Sequence, residues 1–302
     1  MADEGIHLPV DSHTVAIVIP TYRRGAVLVE SLHMLLALEP AADEVIVVDQ
    51  TPSHSADIEL ALSTLQAAGR LTWVRLPEPS IPHAMNIGLS TSSSDVVLFL
   101  DDDIVPDSEL IGAHRAAQGD SCLVAGMVLQ PGQRPEPLRP GEGFRFNSDA
   151  PAAIREFMGG NFSVRREIAV ALGGFDENFV GAAYRFEAEF AHRYVAAHGL
   201  IRYEPTAVID HLAAGSGGTR AYGHHLRTSR PEHSVGAYYY LLRTRGPGWL
   251  LQMVWRPLRA IRTRHHLRQP WWIPLTLFAE ARGFALAMRL WFRGPRLMGM
   301  AS

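Results

Sequence analysis

The segment "DVVLFLDDDIVPD", residues 95–107, places three consecutive aspartates directly after a run of apolar residues. A short, uninterrupted apolar run is typical of a strand that is buried on both faces of a parallel sheet. Adjacent carboxylates repel one another, so a strand that ends in them needs a cation, an arginine or water close by. The segment therefore predicts a buried strand with a charged site at its carboxyl end.

The chain before this segment alternates apolar strands with helical segments. The predicted strands are 15–20, 44–49, 71–76 and 95–101, and the predicted helices are 26–38, 56–69 and 82–92. This alternation favours a Rossmann-like α/β fold, a mostly parallel sheet covered by helices on both faces. Because such sheets bind ligands at the carboxyl ends of their strands, we expect the site in "PTYRR", "DQTPSHS", "PEPSIPH" and "DDDIVPD".

The chain after this segment is less regular. A loop rich in Pro and Gly is predicted over 130–152, a helix over about 185–197 and a strand over 201–211. From about residue 234 the pattern is helical. Proline lacks a backbone N–H and disrupts helix interiors, so we expect breaks in this region at Pro247, Pro257 and Pro274.

The composition excludes several classes of site. The 302 residues include no lysine, so all 28 basic residues are arginine and a Walker A phosphate loop is excluded. No G-x-G-x-x-G follows the first strand, which excludes the usual dinucleotide fingerprint. The single cysteine, Cys122, cannot form an intrachain disulfide, and "MADEGIHLPVDSH" at the N-terminus lacks the apolar core of a secretory signal. These features favour a cytoplasmic protein.

The three aspartates have alternative explanations. Asp103 or Asp107 would serve as the N-cap of a helix that begins near Pro106. A calcium loop of the EF-hand type is excluded, because a loop starting at Asp101 would have Pro106 at the glycine position and Gly112 at the glutamate position. Oxygen ligands at a strand end instead suit a hard divalent ion that also holds phosphates.

Further segments follow the same order as in a known family. They are "VAIVIPTYRR", "EVIVVDQTP", "SIPHAMNIGLSTSSSDVVLFLDDDIVP", "GGNFSVRRE", "GGFDENF", "YRFEAEFAHR" and "DHLAAGSGG". Together, over about residues 15–218, they resemble the family 2 glycosyltransferases, which have the GT-A fold. The resemblance implies inverting, metal-dependent transfer of a sugar, of the hexosyl type, from a UDP-, GDP- or dTDP-linked donor to an acceptor hydroxyl. It also implies a role in the synthesis of polysaccharide, glycolipid or a glycosylated metabolite.

The resemblance also implies a domain organisation and a set of donor-binding residues. The expected GT-A domain covers 1–232, with a nucleotide-sugar half at about 14–128 and an acceptor half at about 129–232, and a helical extension covers 233–302. The residues expected at the nucleotide sugar are Pro20, Thr21, Tyr22, Arg23, Asp49, Asn86, Asp101, Asp102 and Asn161.

Individual roles follow within this set. Asp49 is expected to accept a hydrogen bond from the nucleobase or the ribose, and Tyr22 to stack on the base. Two departures from the family pattern affect the donor contacts: "DQTP" ends the second strand, and Met85 stands where an arginine is common.

The resemblance assigns Asp101 and Asp103 to the D-x-D pair, which holds Mn²⁺ or Mg²⁺. We expect Asp103 to be the direct ligand and Asp101 to contact the ribose or the metal. Asp102, whose side chain alternates away, is the one expected to be replaced at least cost. His211 is either a third ligand or a structural histidine. His224 and His225 are weaker candidates.

The catalytic base is expected at the start of the helix in "YRFEAEFAHR". Glu187 is the candidate and Glu189 its rival, and their spacing on a helix predicts that only one faces the sugar. The family usually has Glu-Asp here, so Phe186 and Glu187 are a departure that makes the base one methylene longer. Alternatively, both glutamates serve only as first-turn acids.

Residues 233–302 contain 11 arginines, several tryptophans and a single acid, Glu280. They predict either a helical subdomain packed on the core or a peripheral contact with the inner face of a membrane. No nucleic-acid-recognition module is present, so no nucleic-acid partner is expected. The acceptor is a carbohydrate, a lipid-linked molecule or a small molecule. The competing functions are a nucleotidyltransferase acting on sugar phosphates and a non-catalytic module that binds nucleotide sugars.

Overall fold

The computed structural model describes residues 13–119, 121–139, 141–218, 221 and 226–299. These residues form one mixed sheet of nine strands, with helices on both faces and a helical C-terminal region. The strands are β1 (Val15–Thr21), β2 (Glu44–Asp49), β3 (Thr72–Arg75), β4 (Val96–Leu100), β5 (Ile104–Pro106), β6 (Leu123–Leu129), β7 (Ala152–Ile154), β8 (Asn161–Arg165) and β9 (Ile201–His211). The helices are α1 (Ala26–Leu35), α2 (Ala56–Ala67), α3 (Ile81–Thr91), α4 (Leu110–Ala117), α5 (Arg166–Ala171), α6 (Phe186–His198), α7 (Val235–Thr244), α8 (Trp249–Ile261), α9 (Arg264–Arg268) and α10 (Ile273–Arg293).

The four strands predicted from the first 101 residues form the parallel part of the sheet, in the order β3-β2-β1-β4. β1 and β4 lie in its interior, and every residue of β4 is buried. The register places Thr21 beside Asp49, so the ends of β1 and β2 meet at one edge. This edge is where the sequence predicts the site.

The other strands make the sheet mixed. β8 lies between β4 and β6 and runs antiparallel to both, while β9 pairs parallel to β6 and antiparallel to β5 and β7. β5, which follows the aspartates directly, pairs with the end of β9 so that Ile104 lies beside His211. This pairing brings His211 next to the aspartates although more than 100 residues separate them in the chain.

Two hydrophobic clusters cover the two faces of the sheet. One contains side chains from α1, α2 and the facing side of β1, β2 and β4. The other contains the opposite side of these strands, side chains of α3 and α6, and Val235, Tyr239 and Leu290 from the C-terminal helices. The C-terminal helices thus complete the core of the sheet.

The predicted break at Pro257 is wrong, because Pro257 lies inside α8. Pro247 precedes α8 and Pro274 lies in the first turn of α10, as expected for a residue without an N–H donor. Within the described residues, no helix combines the length and the apolar character needed to cross a bilayer.

Candidate functional site

A cavity of about 730 Å³ opens at the carboxyl ends of β1 and β4. We call it the main cavity. Its walls include Pro20, Thr21, Tyr22, Arg24, Gln50, Asp101, Asp102, Gly160, Glu187 and His211. Strand ends, the loop before β8 and the first turn of α6 thus contribute to one site, as expected for an open α/β sheet.

Asp101, Asp103 and His211 converge beside this cavity. His211 Nε2 lies 3.3 Å from Asp103 Oδ1 and 3.9 Å from Asp101 Oδ2, and one ligand atom from each residue lies within 4.8 Å of the others. Asp103 is fully buried, whereas half of the Asp101 side chain is exposed. The three residues that the sequence analysis names as metal ligands are therefore brought together, and their role as ligands stays a prediction.

The surroundings of these residues suit a hard divalent ion. His211 Nδ1 donates to Gln130 Oε1 at 3.0 Å, which leaves Nε2 of the neutral ring as the ligand atom. Asp103 Oδ1 is buried, and among the described residues His211 Nε2 lies 3.3 Å and Arg24 3.4 Å from it. A Cβ on Gly160 would overlap Asp101 Oδ2, so only glycine leaves that carboxylate its position.

The same contacts set the protonation of the cluster. Burial disfavours the charged form of Asp103, but hydrogen bonds from His211 and the Ala214 amide outweigh it and lower the pKa of Asp103. The hydrogen bond to Asp103 raises the pKa of His211. A proton on His211 Nε2 therefore competes with a cation for the same atom, so binding of a cation would strengthen with rising pH.

Asp102 lines the main cavity beside Asp101, and its carboxylate shares the Arg24 guanidinium with Asp103. It is neither solvated nor a helix cap, because it is only 5 % exposed and its carboxylate accepts from the Thr21 hydroxyl and from Arg24 Nε, both at 2.7 Å. Burial raises the pKa of Asp102 to about 6, even though Arg24 and Thr21 stabilise its charged form. Loss of a buried, paired acid is costly, so this arrangement speaks against the expectation that Asp102 is the cheapest to replace.

Arg24 is the residue that sequence reasoning missed. Its guanidinium lies 3.4 Å from Asp103, pairs with Asp102, and donates to the carbonyls of Ala214 and Ser216 in the Gly-rich loop. It therefore neutralises the aspartates and ties that loop to them. The sequence contains a signal for it, an arginine within a few residues of the first strand end, but "RR" does not distinguish Arg23 from Arg24.

Arg23 does not line the main cavity. It is exposed, its backbone has φ 57°, and it borders a neighbouring cleft with Thr51 and His54. Its guanidinium lies 5.1 Å from the centre of the Tyr22 ring. Pro20, Thr21 and Tyr22, in contrast, lie in the wall of the main cavity as predicted.

Asp49 also does not line the main cavity. It is fully buried, and its carboxylate already accepts from the Thr51 amide at 2.8 Å, from Trp73 Nε1 at 3.0 Å and from His54 Nε2. The next residue, Gln50, lines the cavity instead, and its side-chain oxygen Oε1 accepts a hydrogen bond from the Ser80 backbone amide. Direct contact between Asp49 and a nucleobase would require these internal bonds to open, so this arrangement speaks against the expected role.

The two predicted asparagines have internal roles. Asn86 donates to the Phe175 carbonyl and accepts from the Phe175 amide, which ties α3 to the loop before α6. Asn161 donates to the carbonyls of Met127 and Ala207 at the irregular pairing of β6 with β9. Both are almost fully buried and neither lines the main cavity, so the expectation that they contact the donor is not supported.

The two glutamates of α6 occupy different surroundings. Glu187 lines the main cavity, and desolvation raises the pKa of Glu187 to about 7 against the opposing effects of a backbone hydrogen bond and Arg185. Glu189 is 2 % exposed and pairs with Arg193 at 2.8 Å and with Arg243 at 3.3 Å. Of the two, Glu187 is the one that lines the cavity, and its role as the base stays a prediction. His224 and His225 lie outside the described residues.

A family model described as glycosyl transferase family 2 matches residues 16–187, more than half of the chain. The chain belongs to glycosyl transferase family 2. No curated protein sequence matches it. The match contains Asp101, Asp103 and Glu187, whereas His211 lies beyond it.

Solved structures of glycosyltransferases share the GT-A fold of this family 2 chain. GalNAc-T7, solved with UDP, GalNAc and Mn²⁺, is 15% identical, with a TM-score of 0.55 over 72% of this chain and 51% of that one. The chain thus spans about half the length of GalNAc-T7. The mannosyltransferase PcManGT of Pyrobaculum calidifontis, solved with GDP-Man and Mn²⁺, is 20% identical, with a TM-score of 0.53 over 95% of this chain and 81% of that one. S. aureus TarS is 14% identical, with a TM-score of 0.54 over 89% of this chain and 90% of that one.

Proposed function

We propose that the protein is a metal-dependent, inverting glycosyltransferase that moves a sugar, of the hexosyl type, from a nucleoside-diphosphate sugar to an acceptor hydroxyl. One observation carries this proposal: Asp101, Asp103 and His211 converge at the cavity that Glu187 also lines. A cation-binding cluster and a carboxylate with a pKa near neutrality are the two groups that such a transfer needs.

Asp101, Asp103 and His211 are the residues that would hold Mn²⁺ or Mg²⁺. A divalent ion held there would stabilise the charge that develops on the departing diphosphate. Mn²⁺ in the GalNAc-T7 and PcManGT structures supports the presence of such an ion. Arg24, which is paired with Asp102 beside the cluster, adds a fixed positive charge at the same end of the cavity.

Glu187 is the proposed base. The acceptor oxygen forms a bond to the anomeric carbon while the bond from that carbon to the diphosphate oxygen breaks. Glu187 takes the hydroxyl proton, and the nucleoside diphosphate leaves with the bonding electrons. A single displacement inverts the configuration at the anomeric carbon. A pKa of about 7 keeps a useful fraction of Glu187 deprotonated at neutral pH.

The nucleotide is proposed to lie against Pro20, Thr21 and Tyr22 at the end of β1. Tyr22 offers an aromatic face to the base. UDP in the GalNAc-T7 structure and GDP-Man in the PcManGT structure support a uridine or guanosine donor, and a dTDP-linked donor is the third expected class.

Substitution of Asp103 by Asn tests this function, because Asn keeps the side-chain volume and removes the charge. The Mn²⁺-dependent part of UDP and GDP affinity, measured by calorimetry, should fall by at least about tenfold, since even changes beside a metal ligand cost about 10–100-fold in metal affinity. Hydrolysis of the donor should be lost in parallel. Unchanged Mn²⁺-dependent nucleotide affinity together with retained transfer would contradict the proposal. A melting curve checks that the variant is folded.

Two alternatives predict different products. A nucleotidyltransferase would release pyrophosphate from a nucleoside triphosphate and a sugar phosphate. A non-catalytic binding module would bind nucleotide sugars equally well after Glu187→Gln and turn none of them over. The raised pKa of Glu187 beside the cluster favours transfer over both.

For the acceptor side, we infer a peripheral contact with an anionic membrane through α8. Leu250, Leu251, Val254, Trp255 and Leu258 are 44–71% exposed, and their spacing places them on one face, here called the outer face of α8. Charge complementarity supports an anionic partner, because residues 233–302 contain 11 arginines and one acid.

A further inference from the structure

A second cavity, of about 420 Å³, lies between α7, α8 and α10. It adjoins the main cavity, since Tyr184, His233 and Arg256 line both. The two cavities therefore form one continuous groove that runs from the aspartates past Glu187 to the C-terminal helices. A ligand that reaches Glu187 from this side passes through the second cavity.

Among the described residues, the lining of this cavity is strongly basic. Arg185, Arg230, Arg256 and Arg259 face a single acid, Glu280, so we call it the arginine cavity. Arg256 Nε lies 3.1 Å from Glu280 Oε2, and Glu280 is 6 % exposed. One carboxylate cannot balance four guanidinium groups, and Arg185 pairs instead with Glu156, an exposed residue outside the lining.

The backbone before α6 divides the two cavities. Arg185 has φ 75°, a left-handed conformation that is uncommon for a residue other than glycine. Its side chain lines the arginine cavity, whereas Glu187, two residues on, lines the main cavity. An acceptor whose charged group lies near Arg185 can thus present a nearby hydroxyl to Glu187.

The side of α8 that faces the arginine cavity is mostly polar. Gln252, Arg256 and Arg259 line it at a spacing that places them opposite the outer face of α8. Surface helices of globular proteins usually bury the apolar side and expose the polar one. In α8 the arrangement is reversed, so the helix presents cations to the groove.

We propose that the arginine cavity binds a phosphate or diphosphate group of the acceptor. The inference rests on the proposed function, because it names the acceptor class of the same groove. Guanidinium groups bind phosphate oxygens in bidentate pairs. With Arg185 paired to Glu156 and Arg256 to Glu280, an excess of two positive charges remains, which matches a dianion or a diphosphate better than a single carboxylate. The group comes either from a soluble sugar phosphate or from a lipid headgroup.

Binding of inorganic pyrophosphate, measured by calorimetry without metal or nucleotide, tests the site directly. The double variant Arg230→Gln/Arg259→Gln removes two exposed cations of the lining, so folding is not at risk. Its pyrophosphate affinity should fall about tenfold or more. Arg262→Gln is the matched control, since Arg262 is exposed at the end of α8 and lies outside the lining. Equal affinities in the two variants, or no binding by the unmodified protein, would overturn the proposal.

Vesicles distinguish the two sources. Phosphatidylcholine vesicles with and without phosphatidic acid are floated with the unmodified protein and with both variants. A lipid source predicts that phosphatidic acid increases recovery and that the double variant loses this increase. A soluble source predicts equal recovery with and without phosphatidic acid. The unmodified protein still binds pyrophosphate in that case.

Donor hydrolysis without acceptor serves as an independent measure of the proposed function. Hydrolysis with no dependence of pyrophosphate binding on Arg230 and Arg259 would leave the transferase standing and remove this site. If pyrophosphate binding depended on these arginines and no hydrolysis occurred, the phosphate site would stand and the transferase would not.

Discussion

Glu187 and Glu189 are two residues apart on α6 and have opposite surroundings. Glu187 lines the cavity, and desolvation raises its pKa to about 7. Glu189 is held between Arg193 and Arg243. Because two guanidinium groups already occupy its carboxylate, its role is to hold α6 against the C-terminal helices.

Glu187→Gln is expected to lower transfer about 10²–10⁴-fold with donor affinity nearly unchanged, because it removes only the base. In the unmodified protein, activity should fall as the pH decreases through about 7, since protonation inactivates the base.

The stability of the Glu187→Gln variant follows from the same pKa. A carboxyl whose pKa is raised on folding lowers the stability of the protein above its unfolded pKa, near 4.5. The variant should therefore melt at a higher temperature than the unmodified protein at pH 8.

Glu189→Gln provides the contrast for both measurements. It should lower the melting temperature by breaking two buried ion pairs, and it should leave the pH midpoint of the remaining activity in place. If Glu189→Gln shifted that midpoint and Glu187→Gln did not, the base would have been assigned to the wrong residue.

Residue chemistry at the strand ends was predictable only in part. Asp101, Asp103 and His211 come together as expected, because strand order alone determines where strand ends meet. Asp49 and Asn161 lie near strand ends too, yet their polar atoms are taken up by internal partners. Whether a side chain faces the ligand or the core depends on contacts between distant segments, which a single sequence does not display.

Among the elements, α8 has an arrangement that a folded chain in water does not favour. Its outer face exposes Leu250, Leu251, Val254, Trp255 and Leu258, while its arginines line a cavity. A large exposed apolar patch bordered by cations is typical of a helix that lies in the interface of an anionic bilayer.

The variant Leu251→Asp/Val254→Asp should lose flotation with vesicles of phosphatidylcholine and phosphatidylglycerol. Its partition coefficient should drop at least tenfold, since burying one such side chain is worth roughly 1.5–3 kcal/mol. Leu60→Asp is the control, because Leu60 is 67% exposed on α2, and α2 packs on the other face of the sheet from α8. A concentration-dependent dimer that this double change disrupts, with no flotation at low salt, would assign the outer face to a second copy instead.

The elements themselves were predictable where their apolar pattern is continuous. β1, β2 and β4 are buried along nearly their whole length, and all three were predicted within one or two residues. β6 was missed because Gly126 interrupts its apolar run, and glycine in a strand usually suggests a turn or a bulge. The structure explains that glycine, since a Cβ there would overlap the Asn161 amide and the Ala207 carbonyl.

At the scale of the whole molecule, one buried aspartate joins the sheet domain to the C-terminal helices. Asp176, in the loop before α6, accepts from the Tyr239 hydroxyl of α7 at 2.8 Å and from the Arg296 amide after α10 at 3.0 Å. Arg243 of α7 lies 3.4 Å from the same carboxylate. The division of the chain at residue 232 stays a prediction, but these contacts link both sides of it.

Asp176→Asn is therefore expected to lower the free energy of unfolding of the whole chain by about 3–5 kcal/mol, the usual cost of breaking a buried ion pair. Glu59→Gln removes an exposed pair with Arg75 and should cost less than about 1 kcal/mol. Because the C-terminal helices share the core cluster of the sheet, far- and near-ultraviolet circular dichroism should report a single, coincident transition in both variants. A separate, earlier transition in Asp176→Asn would show that the C-terminal helices unfold on their own, and the arginine cavity would then belong to a unit that moves independently of Glu187.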